Sequence, residues 1–446
     1  MKIKNNIPHI GIIGAGFTAF ACTYYLSKKG YKITILERSE DIGGLAGAFK
    51  IGNSYLEKAY HHLFKTDIDI LELINEIDPN LIEWHESSVS NFYKGNFYPF
   101  NSAFDLLKFK PLDFVSRLRV GLALFYVQKV KNYSKFEKIS AIEWLRKWTG
   151  DRACQVLWIP LLKGKFRKYY EKISMAWMWA RLHIRANSRS NIFEKEMLGY
   201  IRGGFINLIN KILDTSKNIK VYTKHEVINI EYNQNTNKVI VSSFDSTKSR
   251  KEFRFDRVLV TTPSHIFAKL IESNPVHQDY LNKLAQIEYI GAICMILETN
   301  QDLNLSYWNN INDLTVPFGV IVQHTRLIDK KNYNNKEIYY IAGYFEHDSA
   351  FFSLSDEELV ENWFEHMSRI LPIFDKEKIE NIFVFKFRNA QHIVDTNYKQ
   401  KIPAYETPIP NVYLSNFSQI YPEDRGTNYA VREGKKLAIM ISESIN

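Results

Sequence analysis

Residues 9–37 constrain the fold more than any other stretch of the chain. His9 to Ile13 is a short apolar run, and Gly14-Ala15-Gly16-Phe17-Thr18-Ala19 follows it. A helix-like stretch then runs to Lys29, Gly30 ends it, and Tyr31 to Glu37 (YKITILE) reads as a second, β-branched strand. Strand, glycine turn, helix and strand within about 30 residues make a βαβ unit. Gly14 permits the tight turn, and Gly16 lets the backbone approach a pyrophosphate. Ala19, in place of a third glycine, still allows close helix–strand packing. The helix N-terminus offers unpaired N–H groups and a partial positive charge to phosphates. Glu37 closes the second strand about 20 residues beyond the turn, where a carboxylate accepts hydrogen bonds from both ribose hydroxyls. It also repels a 2′-phosphate, which argues against NADP. The plain alternative is a glycine turn with a solvated Glu.

The chain has 446 residues, enough for two or three domains. With 45% apolar and 24% charged residues it is not disordered, collagenous or disulfide-stapled. Lys+Arg 58 against Asp+Glu 49 gives a formal charge of +9, which admits anionic partners. Zinc-finger spacing and aromatic RNP-type motifs are missing, so no nucleic-acid module is expected. Cys22, Cys154 and Cys294 are scattered without a CxxC pair, which fits a reducing compartment and excludes a metal cluster. No apolar stretch approaches the ~18–20 residues of a spanning helix. The longest candidate, Val120 to Val130, is too short and flanked by charge. The opening apolar run is broken by glycines and reads as a strand rather than a signal peptide. The expected location is cytoplasmic, with peripheral membrane contact as an option.

Phe104 to about Ser188 reads as mainly helical, with periodic apolar positions at Phe114 to Lys131, Ile142 to Trp148 and Met175 to Ile184. Strands are expected at Ile219 to Tyr222, Val239 to Ser242, Val258 to Thr261, Ile290 to Leu297, Phe318 to Gln323 and Ile338 to Tyr344. A helix follows over Asp356 to Ile370, and Asn411 to Asn446 reads strand, loop, helix. Internal repeats are absent.

Further motifs separate the dinucleotide candidates. Glu37-Arg38 is followed by Gly43-Gly44-Leu45-Ala46-Gly47, a glycine pair six residues beyond the acid. Gly203-Gly204-Phe205 precedes Leu208, Val258-Leu259-Val260-Thr261-Thr262-Pro263 ends a strand, and NVYLSNFSQIYPEDRGTNYAVREGKKLA closes the chain. Together these resemble the FAD-dependent protoporphyrinogen oxidase and flavin amine oxidase-like superfamily, which also contains the UDP-galactopyranose mutases and carotenoid desaturases. The resemblance implies FAD as cofactor, held by Gly14, Gly16, Phe17, Thr18, Ala19, Glu37, Arg38, Gly43, Gly44 and Leu45. It further implies Val227 beside the adenine, Thr262 at the second motif, and Glu423, Asp424, Arg425, Gly426, Thr427 and Asn428 along the flavin. An independent physical argument supports the last group. A helix starting near Asn428 presents N–H groups that favour negative charge on the reduced flavin edge.

Glu57 to Asp67 (EKAYHHLFKTD) contains the candidates for chemistry, His61 and His62. HHLFKTD resembles the PHIFHTD stretch of UDP-galactopyranose mutases, in which His62 is the counterpart of the flavin-side histidine. His61 replaces the proline, and Lys65 replaces the second histidine. Convincing counterparts of the mutase diphosphate-binding arginines are missing. In the helical insert Trp177 and Arg181, four apart, share a helix face and read as a wall plus an anion anchor. The alternative is a tryptophan core with exposed basic residues, among them Lys163, Lys165, Arg167 and Arg185. Gln391 and His392 are weaker candidates to approach the flavin. The basic run Phe114 to Lys131 could rest on anionic membrane or be a solvated helix face.

The expected fold class is α/β, a Rossmann-like FAD-binding domain with a second substrate domain of mixed β-sheet plus helical insert. The FAD domain is expected from residues 1–95, 199–265 and 405–446, the helical insert from 96–198 and the mixed sheet from 266–404. The expected function is an FAD-dependent oxidoreductase moving hydride from a substrate C–H bond to flavin N5. Its partner is a small molecule, anionic or lipid-linked, and the oligomeric state stays open. The alternatives are a mutase-like non-redox flavoenzyme acting on a nucleotide- or lipid-linked sugar, and a non-catalytic cofactor-binding regulator.

Overall fold

Five short strands of three to five residues form a parallel sheet in the order Ile219–Tyr222, Lys32–Leu36, His9–Ile13, Arg257–Val260, Val412–Leu414. These come from three separated stretches of the chain. The central strands bury apolar side chains such as Ile10, Ile12, Ile33, Ile35, Val258 and Leu259 on both sheet faces, because parallel sheets are covered on both. The computed structural model describes residues 7–187, 196–272 and 277–445. Ser188, the expected end of the helical stretch, and Asn446 lie outside them.

One cover of the parallel sheet is a helix pair. The helix Phe17–Lys28 follows the first strand, and the closing helix Thr427–Glu443 packs across it. Gly434 is the contact point: a Cβ there would fall 2.5 Å from the Thr18 carbonyl oxygen and 2.7 Å from the Ala21 Cβ. The C-terminal tail is thereby fixed against the glycine turn.

A second, seven-stranded sheet runs Ile379–His392, Tyr289–Thr299, Glu337–Phe345, Val320–Gln323, Trp308–Ile311, Val89–Tyr93, Asn96–Pro99. Only the Trp308–Ile311 and Val89–Tyr93 pair is parallel. The helix Asp356–Ile370 shares one apolar core with it through Leu359, Trp363 and Met367. That helix starts where the sequence places it, because Ser355 and Glu358 exchange bonds in a capping box. Ile379–His392, the longest strand, was not expected. Glu380, Lys386, Arg388 and Asn389 break its alternation, and only its last three residues are fully buried.

Between residues 103 and 187 the chain is helical, with Phe114–Lys129, Ala141–Thr149, Ile159–Phe166 and Met175–Asn187 packed around Val120, Leu145, Leu162, Phe166 and Trp177. All three cysteines are buried and free. Among the described residues no helix is long and apolar enough to cross a membrane.

Candidate active site

The glycine turn is built for a close approach. Gly14 has φ +93°, and a Cβ there would lie 2.6 Å from the Thr261 hydroxyl, so only glycine fits. Gly16 is different: a Cβ would meet nothing within 4 Å, which leaves open space in front of the helix Phe17–Lys28. That helix has no side-chain cap and no acidic residue in its first turn, so its leading N–H groups stay available to phosphate. The second glycine pair folds back onto the turn, with Gly43 N–H donating to the Ala15 carbonyl at 2.7 Å. Glu37 accepts from Ala15 N–H at 2.9 Å and Ser39 N–H at 2.8 Å. Lone pairs remain on both oxygens for ribose hydroxyls. Arg38 is exposed beside it. Val227 sits at a bulge in the strand Glu226–Asn233, two residues past His225, whose N–H donates to the Glu37 carbonyl. Thr262, next to the turn, has a buried hydroxyl without a protein partner. The cradle fits a pyrophosphate and an adenosine ribose.

Glu57 was not singled out in the sequence, and it organises the neighbouring glycine motif. Its buried carboxylate accepts from Tyr200 Oη at 2.6 Å and from Phe205 N–H at 2.7 Å, just after Gly203-Gly204. Burial pushes its pKa up to about 7, against the hydrogen bonds from Tyr200 and Phe205.

A cavity of about 280 Å³ opens beside this cradle. Leu45, His61 and His62 line it from the N-terminal segment, and Asp424 to Tyr429 line it from the closing segment. Lys165, Arg181 and Arg185 enter from the helical region, and Trp308, Tyr344 and Phe387 from the large sheet. Four separated parts of the chain therefore meet here. The closing helix begins at Thr427, one residue before the expected start, with no side-chain cap.

The polar wall is a network. Asp424 accepts from Lys165 and, at 3.1 Å, from Arg181. Burial alone would raise its pKa, but Lys165, Arg181 and Arg425 outweigh that and hold it below the usual carboxylate range. Arg425 donates to Tyr344 Oη at 3.1 Å. Burial opposes ionisation of Tyr344, yet Arg425 and Lys165 bring its phenol below the ordinary tyrosine value. His61 is pushed down to about 4 and His62 to about 3, by burial first and then by neighbouring arginines. Both rings are therefore neutral at pH 7. His62 Nδ1 pairs with Tyr307 Oη at 3.0 Å, and His61 Nδ1 donates to the Ala59 carbonyl at 2.7 Å.

Several expectations change. Trp177 is buried in the helical core beneath Arg181 and does not line the cavity. Arg181 is held by Asp424 rather than standing as a lone anchor. Gln391 and His392 are fully buried, with the His392 ring packed on Tyr398 and Phe417; Phe387 and Ala390 of the same strand line the cavity instead. Lys65 is exposed and outside the cavity, and Glu423 pairs with Arg432 at 3.2 Å. Tyr60 and Tyr344, which line the cavity, carried no motif that could have singled them out.

Comparison with known proteins agrees with this geometry. A model of flavin-containing amine oxidoreductases matches residues 20–436. An Exiguobacterium protein provisionally assigned as a protoporphyrinogen oxidase superposes with a TM-score of 0.76 at 15% identity, covering 98% of this chain and 99% of that one. Putrescine oxidase bound to putrescine gives 0.71 at 14%, covering 98% and 99%. Reduced UDP-galactopyranose mutase gives 0.73 at 13%, covering 98% and 94%. At such identities these structures share the fold. The family match spans nearly the whole chain, and the open turn, the carboxylate and the uncapped closing helix fit a dinucleotide cofactor. The chain belongs to the family of flavin-containing amine oxidoreductases and is an FAD-dependent oxidoreductase.

Proposed function

We propose that the enzyme oxidises a small anionic molecule at a C–H bond. What FAD supplies when bound is a two-electron acceptor for hydride at flavin N5. The supporting observation is that the closing segment Asp424 to Tyr429 and the cations Lys165, Arg181 and Arg185 line one cavity. With Arg425, these cations outnumber the cavity carboxylates Asp67 and Asp424. The excess suits a substrate carboxylate or phosphate, which would bridge Lys165 and Arg181, already oriented by Asp424. Neutral His61 and His62 act as hydrogen-bonding groups rather than charges. Leu161, Trp308 and Phe387 form an apolar wall that limits water. Tyr344 Oη, which lines the cavity and accepts from Arg425 at 3.1 Å, orients a substrate N–H or O–H beside the C–H that is oxidised.

A mutase-type reading, isomerisation of a nucleotide- or lipid-linked sugar without net electron transfer, has one observation in its favour: His62 lines the cavity. Exposure of Lys65 counts against it. Anaerobic mixing with carboxylated and phosphorylated candidates separates the two. Oxidation bleaches the flavin absorbance and an added acceptor restores it. Turnover that needs dithionite and moves no net electrons would replace oxidation with the mutase reading.

A further inference from the structure

The helix Phe114–Lys129 is apolar on two opposite faces. Ser116, Val120, Ala123 and Val127 are buried, packing toward the helix Met175–Asn187. At about 100° per residue, Phe114, Val115, Leu118, Leu122 and Phe125 fall within one arc of about 100° on the other side. That second face is open: Leu122 is 66% exposed, Val115 64%, Phe114 63% and Phe125 59%. The adjacent helix Ala103–Lys108 adds exposed Phe104 and Leu107. Among the described residues, seven of the seventeen exposed large apolar side chains thus lie between residues 104 and 125. Isolated exposed apolar side chains are ordinary, but a stripe on one helix face marks a surface that something covers.

Charge identifies the cover. Arg117 and Arg119 fall on the two flanks of the arc, and Lys108, Lys110, Lys129 and Lys131 stand at its ends. None of the six has a carboxylate partner among the described residues; Arg117 and Arg119 donate to backbone carbonyls instead. Residues 103–138 contain eight Lys or Arg against three Asp or Glu. Asp105 and Asp113 cap helices, and Glu137 pairs with Lys399. Lys129 Nζ sits 5.4 Å from the Phe125 ring centroid, a long cation beside an apolar tip. Trp148, stacked on Tyr126, is partly exposed nearby.

We propose that this face docks on an anionic bilayer surface, with the apolar stripe in the acyl–headgroup boundary and the flanking cations on lipid phosphates. The helix lies in the interface and does not span it. Vesicle flotation tests this with purified holoenzyme. Vesicles of phosphatidylcholine with phosphatidylglycerol should bind the protein about tenfold more strongly than phosphatidylcholine alone, with loss of binding at high salt. L122D/F125D should not float, and K129E/K131E should lose the preference for phosphatidylglycerol. The flavin-to-protein ratio and circular dichroism of both variants should match the parent, since every substituted side chain is exposed. Absence of binding to either vesicle, or flotation of L122D/F125D equal to the parent, would overturn the proposal. So would a concentration-dependent dimer that L122D/F125D dissociates, because the face would then join two copies of this chain.

Discussion

Glu57→Gln tests whether burial controls the charge inside the cofactor domain. The Glu57 carboxylate is inaccessible and has no ion-pair partner among the described residues. Its pKa rises from 4.5 to about 7, with burial the main cause. A carboxyl group whose folded pKa is raised keeps a proton that the unfolded chain releases. Its contribution to stability is therefore complete below pH 4.5 and is lost as pH rises through about 7. At 1.36 kcal/mol per unit, that loss is about 3 kcal/mol. Glutamine cannot ionise, so it escapes the loss. It does forfeit one of two acceptor positions, since one oxygen cannot serve both Tyr200 and Phe205, at a cost of about 1 kcal/mol. Glu57→Gln should therefore be less stable than the parent by about 1 kcal/mol near pH 4.5 and more stable by about 2 kcal/mol near pH 8. Urea unfolding of both proteins, followed by flavin release and far-UV circular dichroism across this range, measures the difference. A stability difference that stays constant with pH would refute the argument, because it would mean that Glu57 ionises as it does in water.

Gly16→Val should leave the apoprotein fold intact, because a side chain there meets open space, and yet abolish FAD retention; a normal flavin content would refute the placement of the pyrophosphate. Gly434→Val should separate the helices Phe17–Lys28 and Thr427–Glu443, costing about 1–3 kcal/mol and weakening FAD binding, as thermal melting and flavin titration would show. His62→Ala should lower turnover while the bound-flavin spectrum is retained. Because the parent ring is neutral well above its pKa of about 3, the pH profile of turnover should keep both limbs between pH 5 and 9. Movement of a limb would assign His62 a charged role.

The glycine turn and its carboxylate were legible in the sequence because each part is local. The turn needs Gly14 for its positive φ, the open space needs Gly16, and Glu37 lies one strand away. Capped helices were equally plain, since Ser355 and Glu358 announce the start of Asp356–Ile370. The substrate side was not legible in this way. Lys165, Arg181, Tyr344 and Asp424 are brought together only by the packing of the helical region, the large sheet and the C-terminal tail, and no spacing along the chain encodes that meeting. Trp177 shows the converse error: its spacing to Arg181 is correct for one helix face, but only the Arg181 end of that face reaches the cavity, and Trp177, one turn earlier, is buried in the helical core. Gln391 and His392 failed because the strand is irregular between Phe387 and Gln391, where its register with Tyr289–Thr299 shifts, so that Phe387 and Ala390 face the cavity and both candidates are buried.

The central claim is that the opening βαβ turn and the C-terminal helix hold FAD between them. Gentle purification followed by absorbance spectroscopy, with chromatographic identification of the flavin released by heat, tests it most directly. The account predicts a yellow protein carrying near-stoichiometric FAD, or an apoprotein that becomes yellow when FAD is supplied. A colourless protein that takes up no added FAD would contradict it.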